Sequence, residues 1–337
     1  MPTATAVPTA TAVPKATAVR NATAMPTASA MPAASALAGA GLSPDPISDL
    51  RQLTEYPFMV NALEAGAIVA VTAGAIGWFM VLRRQTFAGH TLSLMAFPGA
   101  TFALLLGLSA AAGYFAFATV AALVIGVAGG ARSDRAGRGQ VSAVTGSVQA
   151  FGLACGFLFL SLYRGVLANY ESLLFGSFLG ITRAQVLTLA IVAAATLGVI
   201  AVIGRPLLFA SIDEGVARAR GVPTRALASG FLLLLGLAVA ATAQITGVLL
   251  VFALLVAPPA TAQLITPRVG LGLALSIALG VFVSWLGLAL AYFYGYPVGF
   301  YITTVAFAMY VIARAARAIV EHPTFLARRA PVAGAGA

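Results

Sequence analysis

Residues 247–265 read GVLLVFALLVAPPATAQLI, a stretch without one charge. A helix on the surface of a soluble domain keeps a polar face, and this stretch has none. Its length fits the ~20 apolar residues that cross a hydrocarbon core. Counted from residue 245, it is one of nine such runs. The others are 58–82, 92–111, 114–130, 141–162, 184–204, 226–243, 269–293 and 298–313. A further apolar piece, 172–181, is too short to cross and reads as re-entrant or interfacial. The expected fold is all-α: a polytopic integral membrane helical bundle of eight or nine transmembrane helices.

Composition excludes the alternatives. Hydrophobic residues make up 61% of the 337, and charged residues only 8%. Soluble domains carry about 25% charged residues, so this surface belongs in lipid. The net charge of +10 comes from Lys and Arg scattered singly or in pairs between apolar runs. That is the pattern of topology determinants and does not point to nucleic acid. Placing the N-terminus outside and the C-terminus in the cytoplasm puts 14 of the 19 basic residues inside, so a multi-pass cell-membrane protein in that orientation is expected. Cys155 stands alone in an apolar run and reads as an inert buried thiol. Lys15 is the only lysine, so there is no phosphate-binding P-loop. If ATP drives this protein, another chain hydrolyses it, and the chain itself is no enzyme.

Three regions follow. Residues 1–49 repeat a six-residue unit (PTATAV, PTATAV, PKATAV) and read as a disordered Ala/Thr/Pro-rich tail. Residues 50–317 form the transmembrane domain, and 318–337 a cytoplasmic tail.

Few residues inside the bundle carry chemistry. Residues 211–223 read SIDEGVARARGVP. Ser211 and Glu214 are spaced as a capping box, and Asp213 and Glu214 suit the positive helix end. Gly221 can close the other end in the left-handed conformation, before Pro223. A self-contained helix of about nine residues results, either a surface linker or a docking helix; caps written at both ends favour docking. Glu64 lies inside the first span, where a carboxylate either serves a pathway or snorkels outward. Glu171 reads as a solvated loop carboxylate. Pro258 and Pro259 should interrupt their span and free backbone carbonyls beside Thr261, at a transport site or in a kinked packing helix.

At these segments the chain resembles the metal-transport permeases of ATP-binding cassette importers. The family's D-E-x-x-A-x-x-x-G-V segment is matched by Asp213, Glu214, Ala217, Gly221 and Val222. Its G-x-L-L-V-x-A-L-L-x-x-P-A-A-T-A helix is matched from Gly247 through Pro258 and Thr261 to Ala262. The stretch LRRQTFAGHTLSLMAFPGA, from Leu82 to Ala100, is similar to its L-R-R-x-x-L-x-G-D-x-L-S-H-x-x-x-P-G segment, and 173–182 to its L-x-G-S-x-L stretch. The resemblance implies a homodimer with cytoplasmic ATP-binding subunits and an extracellular metal-binding protein. The cargo would be a divalent metal ion, zinc or manganese foremost, with no permanently bound cofactor. It assigns ATPase coupling to Ser211, Asp213, Glu214, Ala217 and Gly221. The residues expected along the transport pathway are Glu64, from its carboxylate inside a span, Pro258, Pro259 and Thr261, from the interrupted helix, and Ser93, from the matched motif.

Two departures bear on the cargo. His90 stands where the family has Asp, and Leu94 where it has His. The imidazole has moved one helical turn earlier on the same face. Imidazole suits zinc, copper, iron or nickel, so His90 is the candidate metal ligand; otherwise it is an interfacial histidine. A different class, an ion- or proton-coupled secondary transporter using Glu64 and His90, would leave the capped helix unexplained.

Overall fold

The structure, a computed structural model, describes residues 46–129, 135–163 and 180–327. The repeat tail up to residue 45, Glu171 and most of the 172–181 piece lie outside the described residues. Among those described there is no strand; helices follow one another through short turns.

Helix α1 (Pro46–Glu55) precedes the bundle, so the expected disorder of residues 46–49 is corrected: they open a helix. The first span, α2 (Pro57–Leu82), starts where Tyr56 is extended and Pro57 fixes the helical φ. Next come α3 (Thr86–Leu94) and α4 (Ala96–Leu105), joined at Met95. They cross together as Thr86–Leu105, six residues earlier than the expected 92–111. The hydropathy of the run is depressed by His90, Thr91 and Ser93, which the helix nonetheless absorbs. Thr91 Oγ1 bonds Gln149 Oε1 at 2.9 Å, and Ser93 Oγ donates to the Gly89 carbonyl at 2.9 Å. Buried hydroxyls with partners cost little in a membrane.

Helices α5 (Ala110–Gly129), α6 (Arg135–Leu162) and α7 (Arg183–Ile212) follow. Thr182 and Gln185 start α7 with a reciprocal capping box. After the short α8 (Glu214–Ala219) come α9 (Thr224–Thr246), α10 (Val248–Ile265), α11 (Val269–Tyr294) and α12 (Val298–Ala327). Helix α12 carries the last span on through residues 318–327, the first half of the expected tail. Eight of the described spans are long and apolar enough to cross. With its 18 residues, α10 rises about 27 Å and is the short ninth.

The core is centred on α2, which packs on α7, α10 and α11, while α9 lies along α5. Small residues let these helices close where no hydrophobic force draws them together. Ser276 Oγ of α11 donates to the Gly74 carbonyl of α2 at 2.9 Å. Contacts at the two ends of the bundle are distinct. One end gathers Arg83, Ser211, α8 and Arg317, whose Nη1 donates to the Leu264 carbonyl at 3.0 Å. The other gathers Glu64 and Arg183, with Asn61 Nδ2 on the Ile181 carbonyl and Trp285 Nε1 on the Leu63 carbonyl.

Candidate functional site

The proline pair behaves differently from expectation. Helix α10 continues through Pro258 and Pro259. The break in the backbone comes eleven residues earlier, at Gly247, with φ 87° and ψ 149°, between α9 and α10. Only glycine adopts that conformation readily. The prolines still deprive the Leu254 and Leu255 carbonyls of their helical donors. Packing receives one of them: a Cβ on Gly77 would overlap the Leu255 carbonyl oxygen and the Pro259 ring. The bare Cα of Gly77 therefore lets α2 pack directly against the freed Leu255 carbonyl. Thr261 is buried, its Oγ1 donating to the Ala257 carbonyl at 2.8 Å. It borders a cleft of about 800 Å³ between α10, α11 and α12, otherwise lined by apolar side chains and Arg317. A cleft with one hydroxyl and a guanidinium does not suit a divalent cation.

Helix α3 positions His90. The helix begins at Thr86, so His90 is the fifth residue of the candidate span, one turn in from its arginine-rich end. Its ring packs on Phe252 of α10 with centroids 4.5 Å apart, and Nδ1 is buried without a hydrogen-bond partner. Leu94 lies one turn further along the same face, half-buried like His90. Pro98 has no N–H to give the Leu94 carbonyl its usual helical bond. Ser93 is fully buried, its Oγ donating back to the Gly89 carbonyl of its own helix. Among the described residues no three His, Cys, Asp or Glu side chains gather to hold a metal ion. At this position one chain thus presents one imidazole.

Glu64 belongs to the other end. It is paired with Arg183, and both side chains are substantially exposed. Eighteen residues of α2, about 27 Å of helix, separate it from the turn leading to His90. Glu64 and His90 are not brought together. The partner was missed in sequence because Arg183 lies 119 residues away and reads as a border charge.

At the arginine-rich end the expected short helix is present, with one correction. Helix α7 runs on to Ile212 and absorbs Ser211, whose Oγ donates to the Leu207 carbonyl at 2.5 Å. Ser211 therefore caps nothing. Asp213 is the cap: its backbone is extended and its Oδ1 accepts the Val216 N–H at 2.9 Å. The helix holds six residues rather than nine, with Glu214 and Arg218 paired at 2.6 Å. Gly221, at φ 80°, closes it as expected, with Gly221 N–H on the Arg218 carbonyl and Val222 N–H on the Ala217 carbonyl. Ala217 is fully buried, fixing the helix to the bundle, while Arg220 and Gly221 are exposed.

The turn from α2 to α3 reaches the end of α7, just before this helix. Arg83 Nη1 donates to Ser211 Oγ at 3.1 Å and Nε to Gln85 Oε1 at 3.3 Å. Its guanidinium lies 5.7 Å from the centroid of the buried Phe231 ring, within cation–π range. Burial pulls the Arg83 pKa down, and the charge of Glu214 opposes that. In the sequence Arg83 stands in the L-R-R stretch and among the basic topology residues; no local signal marks its long-range partner.

The ABC 3 transport family profile matches residues 55–317, most of the chain and all of the bundle's spans. The chain belongs to the ABC 3 transport family. As a permease of that family it is the transport component of its system, and ATP hydrolysis lies in separate subunits. It is similar to the manganese transport system membrane protein MntC of Halalkalibacterium halodurans, 29% identical over 262 residues, covering 78% of this chain and 88% of that protein. It is also similar to the chelated iron transport system membrane protein YfeC of Yersinia pestis, 31% identical over 256 residues, with 76% and 85% covered. Among solved structures, PsaBC from Streptococcus pneumoniae in complex with a Fab matches with a TM-score of 0.68 and 28% identity, covering 79% of this chain and 94% of that one.

Proposed function

We propose that this ABC 3 permease imports divalent transition-metal ions, driven by cytoplasmic ATPase subunits that dock on α8 and supplied by an extracellular metal-binding protein. The arginine-rich end is cytoplasmic and the N-terminus outside, in keeping with the excess of arginines there. Two copies pair so that two His90 imidazoles face one pathway, each with the Leu94 carbonyl one turn away. The observation that carries this reading is His90 itself: a half-buried imidazole one turn into a span, whose Nδ1 makes no hydrogen bond. Manganese- and iron-system relatives support the cargo class. Two imidazoles with carbonyl oxygens suit iron or zinc at least as well as manganese.

Uptake of radiolabelled or fluorescence-detected metal ions by cells carrying the permease and its ATPase tests this. His90→Ala should lower uptake by about tenfold or more, the usual cost of losing a ligand-shell group. His90→Asp should recover part of it and shift preference toward manganese. Unchanged uptake in His90→Ala, at matched membrane expression, would remove His90 from the pathway. The proton-coupled reading is disfavoured, because Glu64 is paired with Arg183 at the opposite end from His90.

A further inference from the structure

The α2–α3 turn has an unusual construction. Its closure repeats the pattern that ends α8, with Arg84 N–H on the Val81 carbonyl and Gln85 N–H on the Met80 carbonyl. Here, however, the left-handed residue is Arg84, at φ 57°, the only non-glycine residue with positive φ among those described. An L residue in this conformation costs roughly 1 kcal/mol, and such strain persists where the surroundings hold it. What holds this turn is the neighbouring Arg83. Its guanidinium joins Ser211 at the end of α7 and the face of Phe231 in α9, with Glu214 of α8 acting on it through space. One side chain therefore ties the ends of α2 and α7 to the face of α9, next to the docking helix. The turn leads directly into α3, and His90 follows only about 6 Å of helix rise after Thr86.

We infer that Arg83 is a positioning residue for transport, carrying the position of the ATPase-docking helix to the His90 segment. The chain of contacts is short. Asp213 is at once the residue after α7 and the cap of α8, so a shift of α8 moves the end of α7 and Ser211. Ser211 holds Arg83, and Arg83 begins the three-residue turn into α3. A strained, tightly closed turn transmits displacement and does not absorb it. A charge-bearing fork can make the Ser211, Gln85 and Phe231 contacts at once, which the point charge of a lysine cannot. This rests on the proposed docking of an ATPase on α8, and the experiment separates the two.

The permease and its ATPase are co-purified, reconstituted in proteoliposomes, and assayed for metal uptake and ATP hydrolysis in the same vesicles. The wild-type arm tests docking alone: no ATPase retained would remove the docking reading. Arg83→Ala is expected to retain the ATPase and hydrolyse ATP within about twofold of wild type, while metal moved per ATP falls about tenfold. Arg83→Lys should sit between the two, and Ser211→Ala should lower the ratio by a smaller factor. The Arg83→Ala/Ser211→Ala double variant should be no worse than Arg83→Ala, because one contact is being removed. A turn of merely structural importance would lower ATPase retention, hydrolysis and uptake together. If Arg83→Ala does not fold, Arg83→Lys and Ser211→Ala are read in the same way. An unchanged metal-to-ATP ratio in the variants that fold, or a parallel loss of all three quantities, overturns the inference.

Discussion

Gly77 is where the double proline of α10 becomes tolerable. Pro258 and Pro259 remove two donors from a helix in lipid, and an orphaned carbonyl there costs several kcal/mol unless something receives it. The bare Cα of Gly77 lets α2 come close enough to cover the Leu255 oxygen. A methyl group there has no room, since backbone and a rigid ring surround it. Gly77→Ala should destabilise the protein by about 1–3 kcal/mol, the typical overpacking cost. Thermal unfolding in detergent measures this, and a variant as stable as wild type would mean the contact is loose. The prolines are plain in the sequence, but their consequence is not. Whether a proline breaks a helix depends on a residue 182 positions away in the chain, which no local pattern reveals. The same holds for Glu64. Its carboxylate was visible, and its pairing with Arg183 was not.

Among the elements, α8 was the most legible. Acidic residues at one end, arginines at the other and Gly221 beyond them define a helix by local chemistry alone, and the structure has it. The error was at its start. Ser211 has the spacing of a cap, but the apolar run of α7 continues through Ile212, so Ser211 remains inside that helix. The extended Asp213 then takes the role. Asp213→Ala should cost about 1 kcal/mol of local helix stability. It should also reduce co-purification of the ATPase while membrane insertion stays normal. Full retention of the ATPase would separate docking from the capped form of α8. Helix α3 starts earlier than its apolar run, because a hydropathy window discounts His90 and Thr91. Burial with satisfied hydroxyls reverses that discount, and the shift of six residues carries His90 into the span.

At the scale of the whole molecule, composition decides nearly everything about the fold class. A chain with so few charges and nine apolar runs can only be a membrane bundle, and the helices fall close to the runs. The transport mechanism is a property of the assembly and is less visible. One chain brings one His90, one docking helix and one Arg83 turn; the proposed pathway needs two of each. The central claim is that ATP hydrolysis in a separate subunit drives metal ions through this bundle. Metal accumulation in proteoliposomes holding the permease with its ATPase, with and without Mg-ATP and a protonophore, tests it most directly. Accumulation that requires Mg-ATP and persists with the protonophore is the predicted result. Accumulation that proceeds without the ATPase and collapses with the proton gradient would contradict it.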